Sequence, residues 1–264
     1  MPDLIRDGVR IHYEVSRGTA ARGSGAPAGA EAPPVLLSHA FGETSMMWEP
    51  NLPALAAEHE VITWDMRGHG RSESPADPAR YTQDACVADM AALLDECGAA
   101  RAVLGGLSLG GYLSLAFWLA HPDRVAALML FDTGPGFRND EARQRWNERA
   151  LKTADRLQRD GQGSAGSASG GHASAAGLAL AARGMLTQRD GRVMECLSSI
   201  DVPVLVLVGA DDQAFLGAAD YVAAKVPDAR HVVVPAAGHL CNMDQPEAFD
   251  QAVLKFLGAL DGGR

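Results

Sequence analysis

The sequence is short of positive charge. Its 264 residues carry 23 lysines and arginines against 33 aspartates and glutamates, a formal net charge of -10. Such a surface repels phosphate backbones on average, so nucleic acid is not an expected partner. The densest basic cluster, Arg143, Arg145 and Arg149, is interleaved with Glu141 and Glu148 and reads as a solvated helix. Cysteine is also scarce. Cys86, Cys97, Cys196 and Cys241 form neither a CxxC pair nor a zinc knuckle, and read as reduced thiols of a cytoplasmic protein. The N-terminus lacks an apolar segment behind a basic start, so no secretory signal is visible. No internal repeat stands out. The run Ala102 to Ala120 has 19 positions without a charge, the length of a membrane span. It holds Gly105, Gly106, Gly110 and Gly111 and divides into a strand-like and a helix-like half, so a membrane is not an expected partner either.

What is present is a globular composition. Hydrophobic residues make up 47% of the chain, which excludes wholesale disorder. The length suits one α/β domain with a small insertion. Residues 3 to 15 suggest an edge hairpin, and the Gly/Ala/Pro-rich stretch 17–34 an exposed loop. Short apolar runs then alternate with helical patterns. Strands are expected at Val35–Ser38, Val61–Trp64, Ala102–Leu107, Val125–Phe131, Val204–Val208 and His231–Val234. Helices are expected at 49–57, 82–97, 109–120, 217–226 and 246–260. Val87, Met90, Ala91 and Leu94 recur at spacings of three and four and give the second helix one apolar face. The pattern implies a mostly parallel sheet flanked by helices on both faces.

The interval 134–200 breaks this rhythm. It opens on Gly134-Pro135-Gly136, continues as a charged helix, passes a Gly/Ser/Ala stretch at 161–177 and becomes helical again over 178–197. The stretch 161–177 reads as a flexible connector. The interval is expected to be a small helical cap inserted before a core strand, leaving 1–133 and 201–264 as the core. An ordinary surface excursion is the alternative.

The strongest chemical signal is Gly106-Leu107-Ser108-Leu109-Gly110, preceded by a strand and followed by a helix. That is the setting of a nucleophile elbow, in which a sharp turn presents the serine hydroxyl and flanking glycines let strand and helix approach. The turn also leaves backbone N–H groups at the helix start, where they can receive negative charge.

With these residues the chain resembles the α/β-hydrolase fold family, in its small esterase and lactonase branches, from about residue 5 to 258. Four further segments match in order. Ser38-His39-Ala40-Phe41-Gly42 resembles the oxyanion loop, with Ala40 where a glycine is usual. Asp65-Met66-Arg67-Gly68-His69-Gly70-Arg71-Ser72 resembles a loop of the esterase and lactonase branches. Gly209-Ala210-Asp211-Asp212 resembles the acid turn, and Ala237-Gly238-His239 the histidine loop. The resemblance implies Ser108 as nucleophile, His239 as base and Asp212 as the acid that orients it, in the family's chain order. Asp211 and Asp132 are the competing acids. The oxyanion hole would use the backbone N–H of Phe41 and of Leu109. The added methyl of Ala40 matters if that position needs a positive φ.

Other readings of these residues are weaker. His39 reads as a brace of its loop. Asp65 and His69, with Glu73 near, lack a third converging ligand, so no metal is expected. Arg67 and Asp65 read as forming internal pairs that pin the loop. Gly68 and Gly70 do not make a dinucleotide fingerprint, and no cofactor is implied. Cys241 reads as a packing thiol near the site. Met46, Met47, Trp48, Phe137, Trp146, Met185 and Leu186 are candidates for the pocket wall, each equally a candidate for packed interior. Arg138 and Arg183 are candidates to meet one substrate carboxylate.

The expected activity is hydrolysis of a carboxylic ester or lactone of a small, mainly apolar substrate, through an acyl-enzyme. Carbon–carbon bond hydrolysis of diketones and perhydrolysis would use the same triad. A ligand-binding, non-catalytic member of the fold is the alternative from another class. The natural substrate and the oligomeric state are not legible in the sequence.

Overall fold

Two consecutive leucines set the architecture. Leu36 and Leu37 sit side by side in one strand, both fully buried, and their side chains point to opposite faces. The computed structural model, which describes residues 3–18, 32–160 and 171–261, shows the same division along the whole sheet. Leu36, Ile62, Trp64, Leu104, Leu128, Leu130, Val204, Val206 and Val208 join one apolar cluster. Val35, Leu37, Val61, Val103, Leu107, Met129, Phe131, Leu205 and Leu207 join the other. A strand apolar on both faces must be covered on both, which is why helices flank this sheet.

The sheet has eight strands, β1 (Asp3–Arg6), β2 (Val9–Arg17), β3 (Val35–Ser38), β4 (Glu60–Trp64), β5 (Ala102–Leu107), β6 (Val125–Phe131), β7 (Val204–Gly209) and β8 (Ala229–Val234). Their order is β1-β2-β4-β3-β5-β6-β7-β8. The hairpin β1–β2 is antiparallel, and β2 joins β4 antiparallel. All pairings from β4 to β8 are parallel. Their C-terminal ends therefore open on one edge.

Helices α2 (Gln83–Glu96) and α3 (Leu109–Ala120) cover the first face, through Met90, Leu93, Leu94, Leu113 and Phe117. Helices α1 (Leu52–Glu58) and α9 (Pro246–Asp261) cover the second. Phe249, Val253, Phe256 and Leu257 supply the buried stripe of α9 at spacings of four, three and one. Helix α7 (Leu216–Lys225) follows β7, and the short α8 (Cys241–Asp244) precedes α9. The uncharged run at 102–120 is β5 followed by α3. Among the described residues no helix is long and apolar enough to cross a membrane.

Several boundaries differ from the sequence reading. The 49–57 helix is a 3-10 turn at Ser45–Trp48 followed by α1. Between β6 and β7 stand α4 (Asp140–Asp160), α5 (Ala175–Ala181) and α6 (Arg192–Glu195). Most of the 17–34 loop and residues 161–170 of the connector lie outside the described residues. The end of the supposed connector is ordered helix. Ser174 accepts the Gly177 N–H at 3.0 Å and starts α5 there. The expected helix over 178–197 is interrupted. A π-helical turn at Ala182–Leu186 follows α5, then an irregular stretch precedes α6. Gly184 lies within that turn, and a Cβ there would meet the Tyr81 carbonyl at 1.8 Å. Close backbone packing on Tyr81 thus takes precedence over regular helix.

The loop after β4 is pinned by internal pairs. Arg67, fully buried, places Nε 2.7 Å and Nη2 2.6 Å from the two oxygens of Asp89 on α2. Arg6 also bonds Asp89. Asp65 instead accepts the backbone N–H groups of Ser45 at 2.7 Å and Arg71 at 2.8 Å. Removing one partner of a buried pair leaves an uncompensated charge. Asp89→Ala should therefore cost about 3–5 kcal/mol of unfolding free energy, and Arg67→Met with Asp89→Leu should cost less than that single change. Urea unfolding of the three proteins checks the order.

Candidate active site

The C-terminal edge of the sheet gathers the polar residues. Ser108 stands between β5 and α3 at φ 55° and ψ -113°, a conformation that non-glycine residues rarely adopt. The surroundings force it. A Cβ at Gly106 would lie 2.2 Å from the carbonyl carbon of Gly110, and one at Gly110 would lie 2.1 Å from the Ser38 carbonyl oxygen. Both are positions only glycine can fill, so α3 starts directly against β3 and β5. The Ser108 backbone is held by three bonds. Its N–H donates to the Phe131 carbonyl at 2.9 Å, and its carbonyl accepts from Tyr112 N–H at 3.1 Å and Thr133 Oγ1 at 2.6 Å. The residue is half-buried. The N–H of Leu109, the first residue of α3, has no partner in the helix ladder.

The loop after β3 lies against this turn. His39 is fully buried and engaged at both ring nitrogens. Nε2 accepts the Met66 N–H at 2.9 Å, so Nδ1 carries the proton that it donates to the Ala40 carbonyl at 2.7 Å. Burial holds its pKa below the usual value, which keeps the ring neutral. The histidine is therefore a brace. Ala40 has no positive φ; that demand falls on Gly42, at 79°. An alanine methyl is thus compatible with the loop. The Phe41 side chain packs with Ala154, Leu157, Leu178, Ala179 and Ala182, the apolar cluster between α4 and α5.

A histidine that the sequence reading missed ties the same loop down. His172 Nε2 donates to the Gly42 carbonyl at 2.8 Å, and its Nδ1 accepts the Gly70 N–H at 3.1 Å. It sits in a Gly/Ser/Ala-rich stretch without periodicity, so nothing in its neighbourhood signalled a partner.

The turns after β7 and β8 meet through their backbones. A Cβ at Gly209 would stand 2.2 Å from the Gly238 carbonyl oxygen. Across this contact His239 Nδ1 lies 2.7 Å from Asp212 Oδ2. Asp212 is buried, whereas Asp211 is exposed and joins the turn through its own N–H to the Ala237 carbonyl at 2.8 Å. Phe215, three residues past Asp212, stacks on the His239 ring with centroids 4.9 Å apart and planes 24° apart. It too was missed. The spacing of one tight turn back from an acid was its sole trace in the sequence.

Asp132, the other rival acid, ends β6 at φ 42°. Its Oδ1 accepts the Gly209 N–H at 2.8 Å, while Oδ2 is buried without a hydrogen-bond partner. Burial pushes its pKa up from 3.8 to about 6, against the pull of the nearby Cys241 thiol and the Gly209 amide. Burial likewise raises the Cys241 thiol well above its ordinary value, so it is a packed, protonated neighbour of the site.

The expected wall residues divide. Met47, Trp48 and Met185 have no exposed surface. Met47 uses its sulfur to accept the Ala40 N–H at 3.4 Å, Trp48 packs edge-on against Phe131, and Met185 lies in the first core cluster. These three are interior, because the 3-10 turn and the π turn point them into the sheet's cover. Met46 is 45% exposed. Phe137, Trp146 and Leu186 are partly exposed and adjoin one another. The two rings are 5.8 Å apart, and Trp146 Nε1 donates to the Leu186 carbonyl at 2.7 Å. Arg183 is engaged by Asp155 at 2.5 Å. Among the described residues no group of three or more His, Cys, Asp or Glu side chains could hold a metal ion.

Comparison with known proteins agrees with this fold. Residues 33–178 match the family model of the alpha/beta hydrolase fold. A protein of Caulobacter vibrioides provisionally named the carbamate hydrolase RutD is 31% identical, over 94% of this chain and 95% of its own. The solved structure of a thermophilic esterase from Thermogutta terrifontis is 29% identical, with a TM-score of 0.80, covering 96% of this chain and 94% of that one. The enol-lactonase of Burkholderia xenovorans LB400 is 27% identical, with a TM-score of 0.77, covering 97% and 100%. The eight-stranded sheet, the glycine-flanked serine turn and these matches agree, and the chain belongs to the alpha/beta hydrolase fold family.

Proposed function

We propose that the protein is a serine hydrolase of small carboxylic esters or lactones, with Ser108, His239 and Asp212 as its triad. The observation that carries the reading is the positive φ of Ser108, which glycine contacts on both sides enforce. Strain of this kind persists where the surrounding structure over-determines it, typically at functional sites. The Asp212 carboxylate fixes His239 with Nδ1–H toward the acid, leaving Nε2 as the base. That nitrogen takes the Ser108 proton as Oγ attacks the carbonyl. The Phe41 and Leu109 N–H groups receive the oxyanion. His239 returns the proton to the leaving alcohol, and water activated by the same nitrogen releases the acid.

Residues 134–200 act as a cap in this reading. Its support is the seating of Phe41 in the α4–α5 cluster and the His172 bond to Gly42, which attach that segment to the oxyanion loop. Phe137, Trp146, Leu186 and Met46 then line the entrance and favour a small apolar substrate. The 31% identity to the RutD protein favours carbamates as a second substrate class, since an acyl carbonyl next to nitrogen would use the same groups. The four cysteines are free thiols, which supports a reducing, cytoplasmic setting.

The test is intact mass after incubation with a small fluorophosphonate, followed by turnover of short p-nitrophenyl esters, lactones and carbamates. One adduct on Ser108 and multiple turnovers are expected. Ser108→Ala should lose about 10⁴-fold or more in kcat while keeping its thermal unfolding midpoint. A folded protein with neither adduct nor turnover would remove the enzyme reading in favour of a ligand-binding member of the fold.

The choice of acid is tested separately. Asp212→Asn should lower kcat by about 10⁴-fold, because the imidazole loses its orientation and the partner of its charged state. Asp132→Asn should change kcat by less than about tenfold, because that carboxylate bonds a backbone amide. Its effect falls on stability. A carboxyl whose pKa rises from 3.8 to about 6 on folding stabilises the fold fully below 3.8, and that stabilisation is lost as pH rises through 6. Asp132→Asn, compared with the parent by urea unfolding, should therefore gain up to about 3 kcal/mol between pH 4 and pH 8.

A further inference from the structure

Phe215 has no place in the triad chemistry described above, yet its ring covers the base. It is the residue just before α7, and its own N–H donates to the Asp212 carbonyl at 3.0 Å. The next N–H, of Leu216, donates to the same oxygen at 3.1 Å. The Phe215 carbonyl accepts from Ala219 at 2.8 Å and so is locked to the helix. One tight turn therefore carries the carboxylate that meets the edge of the His239 ring and the aromatic face that lies along its plane. The near-parallel stack, 4.9 Å between centroids and 24° between planes, leaves the ring few orientations other than the one aimed at Asp212.

We propose that Phe215 is a positioning residue for His239, whose ring face holds the imidazole in its working plane and stabilises its protonated state during the reaction. The inference rests on the reading of His239 as the base. An aromatic face carries negative potential and attracts a cation lying over it, an imidazolium more than an imidazole. The imidazolium forms when His239 takes the Ser108 proton, so the attraction strengthens in the step that needs it. Asp212 and Phe215 then divide the work. The carboxylate meets the charge at Nδ1 and the ring meets it from the face, which leaves the Nε2 edge open. His239 is 39% exposed, so water screens part of the attraction, and its size is that of an exposed pair.

The other charged groups around His239 are accounted for. Asp212 faces it from the turn after β7, at 2.7 Å. Asp132 acts on it from the end of β6. On its own loop, Cys241 is a buried thiol, and Asp244 accepts the Gly238 N–H at 2.8 Å. None of these changes in a substitution at 215.

The experiment titrates the His239 ring by NMR in the parent protein, Phe215→Leu and Phe215→Tyr, with the resonance assigned by its absence in His239→Gln. Leucine keeps an apolar cover and removes the π face, whereas tyrosine keeps both. The His239 pKa should fall by about 0.4–0.7 unit in Phe215→Leu and stay within about 0.2 unit in Phe215→Tyr. The acid limb of kcat/KM should move with it, with kcat reduced about three- to tenfold and KM little changed. A pKa unchanged or raised in Phe215→Leu overturns the proposal, since the ring would then be only a cover that excludes water. Because the titration reads the imidazole directly, it decides about Phe215 even if no ester is turned over, and the fluorophosphonate result decides about the triad by itself.

Discussion

The whole site depends on one close approach between backbones. Helix α3 begins so near β3 that a single methyl at Gly110 would overlap the Ser38 carbonyl. That contact sets the sharp turn, and the turn puts Ser108 at a positive φ with its backbone fully bonded. It also brings the backbone of Ser38 and His39, where the β3 loop begins, against the first turn of α3. The cost of the strained residue, about 1–3 kcal/mol, is offset by the buried strands and helix that hold it. The same arrangement recurs on the far side. Gly209 lets the β7 turn touch the backbone of the β8 loop, and the Asp212–His239 bond spans that contact. Two glycine contacts thus set the Ser108 turn and the meeting of the β7 and β8 turns before any side chain is considered.

The loop after β3 is held from three directions. His39 braces it from beneath with both nitrogens engaged. Phe41 reaches up into the α4–α5 cluster. His172 bonds the Gly42 carbonyl from the segment leading into α5. The rings of His39, His69 and His172 follow one another at 5.0 and 5.7 Å between centroids. Adjacent imidazoles repel one another when charged, and burial, followed by the two other histidines, holds the pKa of His69 well below its usual value.

Much of this was legible in the sequence, for a physical reason. Parallel strands buried on both faces are written as unbroken apolar runs, and Val204–Val208 reads as one. The elbow was legible because only glycine fits where backbones touch. The carboxylate that meets His239 was harder to read, with Asp211 and Asp132 as the rivals of Asp212. Asp65, Asp132 and Asp212 all follow strands at the same edge. Freed N–H groups there attract carboxylates whatever the chemistry. Two of the three bond amides, Asp65 those of Ser45 and Arg71, Asp132 that of Gly209, and only Asp212 meets the histidine. Spacing along the chain cannot separate these cases, since the difference lies in which turn β7 and β8 place together. The same limit applies to Met47, Trp48 and Met185. An apolar residue beside a site is wall or interior according to a rotation of about 100° per residue along a helix, and 3-10 and π turns alter that rotation.

The interval between β6 and β7 shows where pattern reading ends. Its long helix α4 was visible through its charge. Its junction to the core was not, because it is made by single residues in irregular segments. Gly177 presses on the Ser74 side chain and Gly184 on Tyr81, Gln83 bonds the Met185 and Thr187 carbonyls, and Asn147 clasps both backbone groups of Gln188. These are close packing contacts and side-chain to backbone bonds across more than thirty residues, and no periodicity records them. They explain why a segment poor in apolar stripe is still well seated. The π turn at Ala182–Leu186 follows from the same contacts. Gly184 packs against the Tyr81 carbonyl while the Leu186 carbonyl accepts from Trp146, and the π turn, one residue wider than an α turn, accommodates both.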